Sequence, residues 1–88
     1  MSQNLESQNK LEANFSMLVM SIASSAAINL GLSPDPASGV NEINKPMAQF
    51  HIDLLIVLKE KTKGQLTNEE SKLLESLISD LQLKFVNL

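Results

Sequence analysis

Few side chains in this 88-residue sequence have the chemistry of a catalytic or metal site, and they lie apart. His51 is the only histidine, and Asp53 follows two positions later, so on a helix the two side chains point in different directions. The chain contains no cysteine, and a zinc ion would need more nitrogen or sulfur ligands than one copy offers. The sequence therefore predicts His51 as a core-edge histidine with one hydrogen bond, and no catalytic residue, metal or cofactor. The enzyme hypothesis would require His51, Asp53 and Lys59 to meet in a cleft shared between subunits.

Two groups of charged residues are explained by helix ends and helix surfaces. The run Lys61-Thr62-Lys63-Gly64 invites comparison with the Lys-Thr-Gly box of penicillin-recognising enzymes, but that box lies on a strand. Here the run follows a helical pattern, and lysines are favourable at the negative end of the helix dipole. A weak phosphate-contacting patch is the alternative. The acidic group is interpreted as capping residues and a solvated helix face; its members are Glu69, Glu70, Glu75 and Asp80.

The composition limits the classes of partner. The formal net charge is only −3, and all seven basic residues are lysine, so the chain lacks the guanidinium that reads phosphate or guanine bidentately. Its aromatic residues are three phenylalanines, which lie where a core would use them rather than as a stacking platform. We therefore expect no nucleic-acid partner. The absence of cysteine fits a reducing compartment.

The most unusual feature is an uncharged run over residues 13–34, between Glu12 and Asp35. A chain of this size has little other protein with which to cover such a segment. The cover must come from a second copy, an unidentified protein partner or a lipid bilayer. A membrane-associated protein that inserts residues 13–34 is the alternative hypothesis, because the run is long enough to span. Its serines and Asn29, and the lack of a basic flank, argue against a membrane.

Hydrophobic spacing and turn residues predict an all-α fold with three helices in a single domain over residues 10–88, after a flexible polar N-terminus over residues 1–9. A long first helix extends from about Lys10 to Leu30, and Gly31 caps its end. The second helix spans about residues 44–63. The third spans about residues 68–86 and opens with a capping box at Thr67 and Glu70.

The connections between these helices differ in length. A proline-rich loop joins the first two, and within it Pro34, Asp35 and Pro36 form either a rigid turn or a recognition loop. The joint between the second and third helices is short, which predicts an antiparallel helical hairpin.

The first helix has two apolar faces. One carries large residues suited to packing on the hairpin: Leu11, Phe15, Leu18, Val19, Ile22, Ala26 and Leu30. The other lies nearly opposite and combines methionines with small residues that permit close backbone approach: Met17, Met20, Ser24, Ala27, Ile28 and Gly31. A three-helix monomer covers one such face, so the sequence predicts a homo-oligomeric helical bundle, dimer or higher, that associates through the second face. The alternative is a stable monomer whose small residues face water.

The other helices have simpler patterns. The second helix carries a broad apolar face: Met47, Phe50, His51, Leu54, Leu55, Val57 and Leu58. Ile52 and Ile56 lie beside that face, and the pattern leaves open whether they are exposed or form a second contact strip. The third helix is amphipathic, with one apolar side: Leu73, Leu74, Leu77, Ile78, Leu81 and Phe85.

Several blocks in order resemble a bacterial family of small helical proteins catalogued as domain of unknown function eighteen forty-four. The blocks are Phe15-Ser16-x-Leu18-Val19-x-Ser21-x-Ala23, Leu30-Gly31-Leu32-x-Pro34-Asp35-Pro36, Ile52-Asp53-Leu54-Leu55, and Leu58-Lys59-Glu60-Lys61-Thr62-Lys63-Gly64-x-Leu66-Thr67-x-Glu69-Glu70. The resemblance covers about residues 15–86. It implies a bacterial, cytoplasmic protein, and it implies no activity and no functional residue. The function that the sequence favours is a non-enzymatic, homo-oligomeric interaction or scaffolding module.

Overall fold

The structure is a computed structural model that describes residues 12–88; the predicted flexible segment over residues 1–9 lies outside the described residues. Three helices follow in order: α1 (Phe15–Asn29), α2 (Lys45–Lys61) and α3 (Asn68–Val86). Across residues 12–88 the extended pairing is limited to an isolated antiparallel bridge between Leu30 and Ile43. The all-α class predicted from the sequence is therefore confirmed.

The first helix begins later than the sequence predicted. Residues 12–14 are not helical, and Asn14 is the N-cap, with its Oδ1 accepting the backbone N–H of Met17 at 2.9 Å. An asparagine favours the cap position because its side chain satisfies a donor that the first turn leaves unpaired. Lys10, the predicted start, and Leu11, the first residue of the predicted apolar face, lie outside the described residues. A helix that continues from Lys10 through residues 12–14 is contradicted, because Asn14 begins the helix.

The end of α1 is closed by Gly31. Its φ is 77°, a left-handed conformation that a side chain disfavours. The N–H of Gly31 donates to the Ile28 carbonyl and the N–H of Leu32 donates to the Ala27 carbonyl, both at 3.0 Å. These two bonds form the Schellman arrangement and satisfy carbonyls that the last turn leaves free. The predicted glycine cap is confirmed.

The loop over residues 30–44 is tied back to the end of α1. The N–H of Asn44 donates to the Asn29 carbonyl at 2.7 Å, and the side-chain amide of Asn41 donates to the Gly31 carbonyl at 3.0 Å. Asn44 then serves as the N-cap of α2, with Oδ1 accepting the N–H of Met47 at 3.2 Å. The start of α2 is therefore held beside the end of α1.

The connection between α2 and α3 is short and capped at both ends. α2 ends at Lys61, two residues before the predicted end, and Thr62 is its C-cap. The Thr62 hydroxyl donates to the Leu58 carbonyl at 2.6 Å. At the start of α3 the predicted capping box is confirmed. Thr67 Oγ1 accepts the Glu70 N–H at 3.1 Å, and Glu70 Oε1 accepts the Thr67 N–H at 3.0 Å.

One core joins the three helices, and all three pairs of helices are in contact. The buried residues of α1 include two alanines and those of α2 include one, whereas α3 contributes leucines and an isoleucine. The buried residues are Val19, Ala23, Ala26, Leu30, Ala48, Ile52, Leu55, Leu74, Ile78 and Leu81.

Two predicted faces differ from the structure. Leu18 was expected to pack on the hairpin, but its side chain is 48% exposed. On α2, Ile52 is only 1% exposed and Ile56 packs against the core, so these isoleucines form the second contact strip rather than exposed singletons. Met47 and Phe50, from the broad apolar face, are instead exposed. The hydrophobic pattern identified two apolar sides of α2, but which side α1 and α3 cover depends on tertiary packing.

Candidate functional site

His51 lies at the edge of the core, between α1 and α2. Its Nδ1 is 2.9 Å from Asn29 Oδ1 and 3.0 Å from the Met47 carbonyl oxygen. A carbonyl can only accept a hydrogen bond, so the contact with Met47 assigns the proton to Nδ1 in the neutral ring. The Phe50 ring meets the imidazole edge-on, with centroids 5.3 Å apart. His51 thus has the structural environment that the sequence predicted, with two acceptors rather than one.

The other residues of the enzyme hypothesis lie elsewhere on α2. Asp53 is exposed, and its Oδ1 accepts from Gln49 Nε2 at 2.8 Å on the same helix. Lys59 is eight positions beyond His51, which places the two Cα atoms about 12 Å apart along the helix axis. One copy of the chain therefore does not bring His51, Asp53 and Lys59 together.

A groove of about 670 Å³ lies between the end of α2 and α3. Two hydroxyls line it. Thr62 Oγ1 donates to the Leu58 carbonyl at 2.6 Å, and Ser71 Oγ lies 3.5 Å from Glu75 Oε2. His51 is not among the lining residues, so no imidazole base adjoins either hydroxyl. Within residues 12–88, no group of three or more His, Asp or Glu side chains is arranged to hold a metal ion.

The loop that carries Pro34, Asp35 and Pro36 is organised by its central residue. Asp35 Oδ1 accepts the N–H of Ala37 at 2.8 Å, and the Asp35 carbonyl accepts the N–H of Gly39 at 2.7 Å. The two prolines are exposed and Asp35 is half-buried. The Asp35 carboxylate is therefore used within the turn, in the arrangement by which an aspartate side chain bonds a backbone N–H two residues on.

The α1 patch comprises the side chains predicted for self-association: Met17, Met20, Ser24, Ala27, Ile28 and Gly31. The first three are exposed, Met17 to 40% and Met20 to 42%, and the last three are half-buried. Gly31 is occupied within its own chain, because a Cβ there would lie 3.0 Å from Ile43 Cγ1. Beside Met17 an open hollow of about 620 Å³ is lined by Ala13, Asn14, Phe15, Met17, Leu18 and Ser21.

None of the residues of the α1 patch is charged, and α1 itself contains no charged residue.

A comparison with known protein families covers nearly all of the described residues. The family model for Domain of unknown function (DUF1844) matches residues 12–87. The chain belongs to the DUF1844 family. No curated protein and no solved structure matches this DUF1844 chain significantly.

The helix lengths in the DUF1844 chain bear on the alternative of a membrane-inserted segment. At fifteen residues α1 is shorter than a bilayer requires, and none of the helices between residues 12 and 88 has both the length and the hydropathy of a membrane span. Four exposed residues were assigned from the sequence to apolar helix faces: Leu18 on α1, and Met47, Phe50 and Val57 on α2. The spacing on α2 placed its three residues on one face but did not show that this face is exposed.

Proposed function

We propose that this DUF1844 chain is a non-enzymatic interaction module that associates with copies of itself, as a dimer or higher oligomer, through the α1 patch. The observation that carries the proposal is the exposure of Met17 and Met20 on a helix with no charged residue. Exposed apolar side chains are common singly, but a row of them on an uncharged helix is typical of an interaction surface.

The flanking residues support close packing against this surface. Ser24 and Ala27 are small, so a second helix can approach the backbone there, and methionine side chains adapt to an irregular partner. A cytoplasmic, bacterial setting is part of the proposal: the family resemblance implies both, and the absence of cysteine fits a reducing compartment. We also propose that α2 and α3 form an antiparallel hairpin, which the short connection over residues 62–67 and the shared core support.

Sedimentation velocity of the purified chain over a micromolar concentration series tests self-association. We expect a species of at least twice the 9.6 kDa chain mass. A single 9.6 kDa species across the series would overturn the proposal.

A charged variant tests the location of the surface. Met20→Glu places a charge on an exposed position, where folding tolerates it, and we expect it to shift the distribution to monomer. Leu83→Glu is the matched control, because Leu83 is 60% exposed and lies on α3. Circular dichroism should give the same helical content for both variants. An unchanged oligomer in Met20→Glu would exclude α1 as the contact.

A further inference from the structure

Methionine holds all the sulfur of this chain. The sequence has four methionines and no cysteine, so a mild oxidant meets thioethers and no thiol. Three of the four lie within the described residues: Met17 is 40% exposed, Met20 42% and Met47 40%. None of these three belongs to the buried cluster that joins the helices. An oxidant dissolved in water therefore reaches all three in the single chain.

Two of these methionines form a pair on α1. Met17 and Met20 are three residues apart, so on a helix their side chains are neighbours on the same side. They are the large exposed apolar side chains of the α1 patch, in which Ile28 is half-buried. A copy that covers the patch therefore packs on two thioethers. Met47 is not part of the patch and lies in the first turn of α2.

Oxidation would change the chemistry of that contact. Hydrogen peroxide transfers one oxygen atom to a thioether: its O–O bond breaks, an S–O bond forms, the sulfur is oxidised by two electrons and the peroxide is reduced to water. The sulfoxide is polar, and its oxygen is a strong hydrogen-bond acceptor where the thioether sulfur is a weak one. An acceptor buried without a donor destabilises a complex, and Ser24 supplies the one side-chain donor of the α1 patch.

We propose that Met17 and Met20 are a modification site at which peroxide controls self-association. With both thioethers reduced, the chain associates through the α1 patch; with both oxidised to sulfoxides, it is released as a folded single chain. The fold is retained because neither side chain is part of the core. This inference rests on the proposed function, since it assigns a covalent modification to the same surface.

Association and oxidation of the pair oppose each other. A sulfur enclosed between two copies is screened from peroxide, so Met17 and Met20 are oxidised while the chain is dissociated. Mass action then makes their rate of oxidation fall as the chain concentration rises. Met47 lies outside the patch, and its rate does not depend on association. It is therefore an internal control within the same molecule.

Leucine variants assign the effect to the pair. Leucine replaces methionine with little change of volume and removes the sulfur. The double variant Met17→Leu/Met20→Leu should remain associated after peroxide treatment, whereas Met47→Leu should dissociate as the original chain does. Dissociation of the treated double variant would place the sensitive group elsewhere and overturn the inference. If leucine itself weakens association, the measurements on the original chain decide the question.

Peroxide treatment of the original chain is the decisive experiment. Peptide mass spectrometry measures the sulfoxide at each methionine, and sedimentation equilibrium measures the dissociation constant before and after treatment. We expect oxidation of both Met17 and Met20 to raise that constant about tenfold or more, with the same helical content by circular dichroism. Methionine sulfoxide reductases that act on the two sulfoxide epimers, supplied with dithiothreitol, should restore the original value. A chain that carries both sulfoxides with an unchanged constant, or one that the reductases do not restore, would overturn the inference.

The rates of oxidation give a second readout on the same chain. We expect sulfoxide formation at Met17 and Met20 to be about threefold or more slower above the dissociation constant than below it, with no change at Met47. Equal rates at both concentrations would contradict the inference. If Met20→Glu dissociates the oligomer while the sulfoxides do not, the inference is wrong and self-association through α1 stands. If the untreated chain is a monomer, both fail.

Discussion

Asn29 on α1 and His51 on α2 are joined by a hydrogen bond of 2.9 Å between Oδ1 and Nδ1. The backbone carbonyl of Asn29 also accepts the N–H of Asn44 at 2.7 Å. A single residue at the end of α1 thus holds the N-cap of α2 through its main chain and the second turn of α2 through its side chain. These bonds fix where α2 begins and which of its sides faces α1.

The first prediction concerns the tautomer of His51. Nδ1 has two acceptors, Asn29 Oδ1 and the Met47 carbonyl, so the neutral ring should carry its proton on Nδ1 and leave Nε2 as the acceptor. Long-range ¹H–¹⁵N correlation spectra, recorded at a pH where the ring is neutral, distinguish the two nitrogens. Spectra with a protonated Nε2 would contradict the geometry.

The second prediction concerns the energy of the same contact. A double-mutant cycle with Asn29→Ala and His51→Ala should give a coupling of about 1 kcal/mol in the free energy of unfolding. The cycle removes the change in helix propensity that each alanine introduces. Urea unfolding at one fixed protein concentration measures it, because association would make the apparent stability depend on concentration. A coupling near zero would mean that the contact adds nothing to the α1–α2 interface.

The third prediction separates two roles of Gly31. A Cβ at this position would meet Ile43 Cγ1 at 3.0 Å, and φ is 77°. Gly39 is a matched control, because its φ is 76° and no atom lies within 4 Å of the same construction. Gly39→Ala should cost about 1 kcal/mol, the cost of a left-handed conformation. Gly31→Ala should cost more, because the Ile43 side chain must also shift. Equal losses of unfolding free energy in the two variants would show that the Ile43 side chain moves aside without a measurable cost.

The sequence could predict those features of the fold that depend on residues close together in the chain. The glycine cap of α1 and the capping box at Thr67 and Glu70 could be predicted because each involves residues within about one helical turn. The start of α1 was placed too early because the prediction followed the apolar spacing back to Leu11 and did not use the preference of Asn14 for the N-cap position. The Asn29–His51 bond joins residues from different helices, and no local pattern indicates it.

The prediction of which apolar residues are exposed was limited in the same way, because exposure depends on contacts between helices. The helical pattern found two apolar sides on α1 and correctly separated Val19 from Met17. On α2 it merged Phe50 with Leu55 into one broad face, although the first is exposed and the second is buried. A 100° wheel gives the angle between side chains, whereas burial depends on where a neighbouring helix lies. Which side of α2 is exposed could therefore be learned only from the three-dimensional arrangement.

The fourth prediction tests the assignment of the buried side of α2. Ile52 is 1% exposed, so Ile52→Val removes one methylene from the core and should cost about 1 kcal/mol. Leu83→Ala removes more atoms, but Leu83 is 60% exposed and the variant should change the unfolding free energy by less than about 0.5 kcal/mol. Urea denaturation of both variants gives the comparison. A larger loss for Leu83→Ala would contradict the assigned core.

The last prediction concerns the capping box that starts α3. The Thr67 hydroxyl accepts the Glu70 N–H at 3.1 Å, so Thr67→Ala should lower the free energy of unfolding by about 1 kcal/mol. Glu70→Gln keeps a side-chain oxygen that can accept the Thr67 N–H, and it should cost much less. Glu69→Gln is the control, because it removes a first-turn charge without touching the box. If Glu70→Gln and Glu69→Gln are both nearly neutral while Thr67→Ala is not, the hydrogen-bond geometry stabilises this helix start more than its charge does.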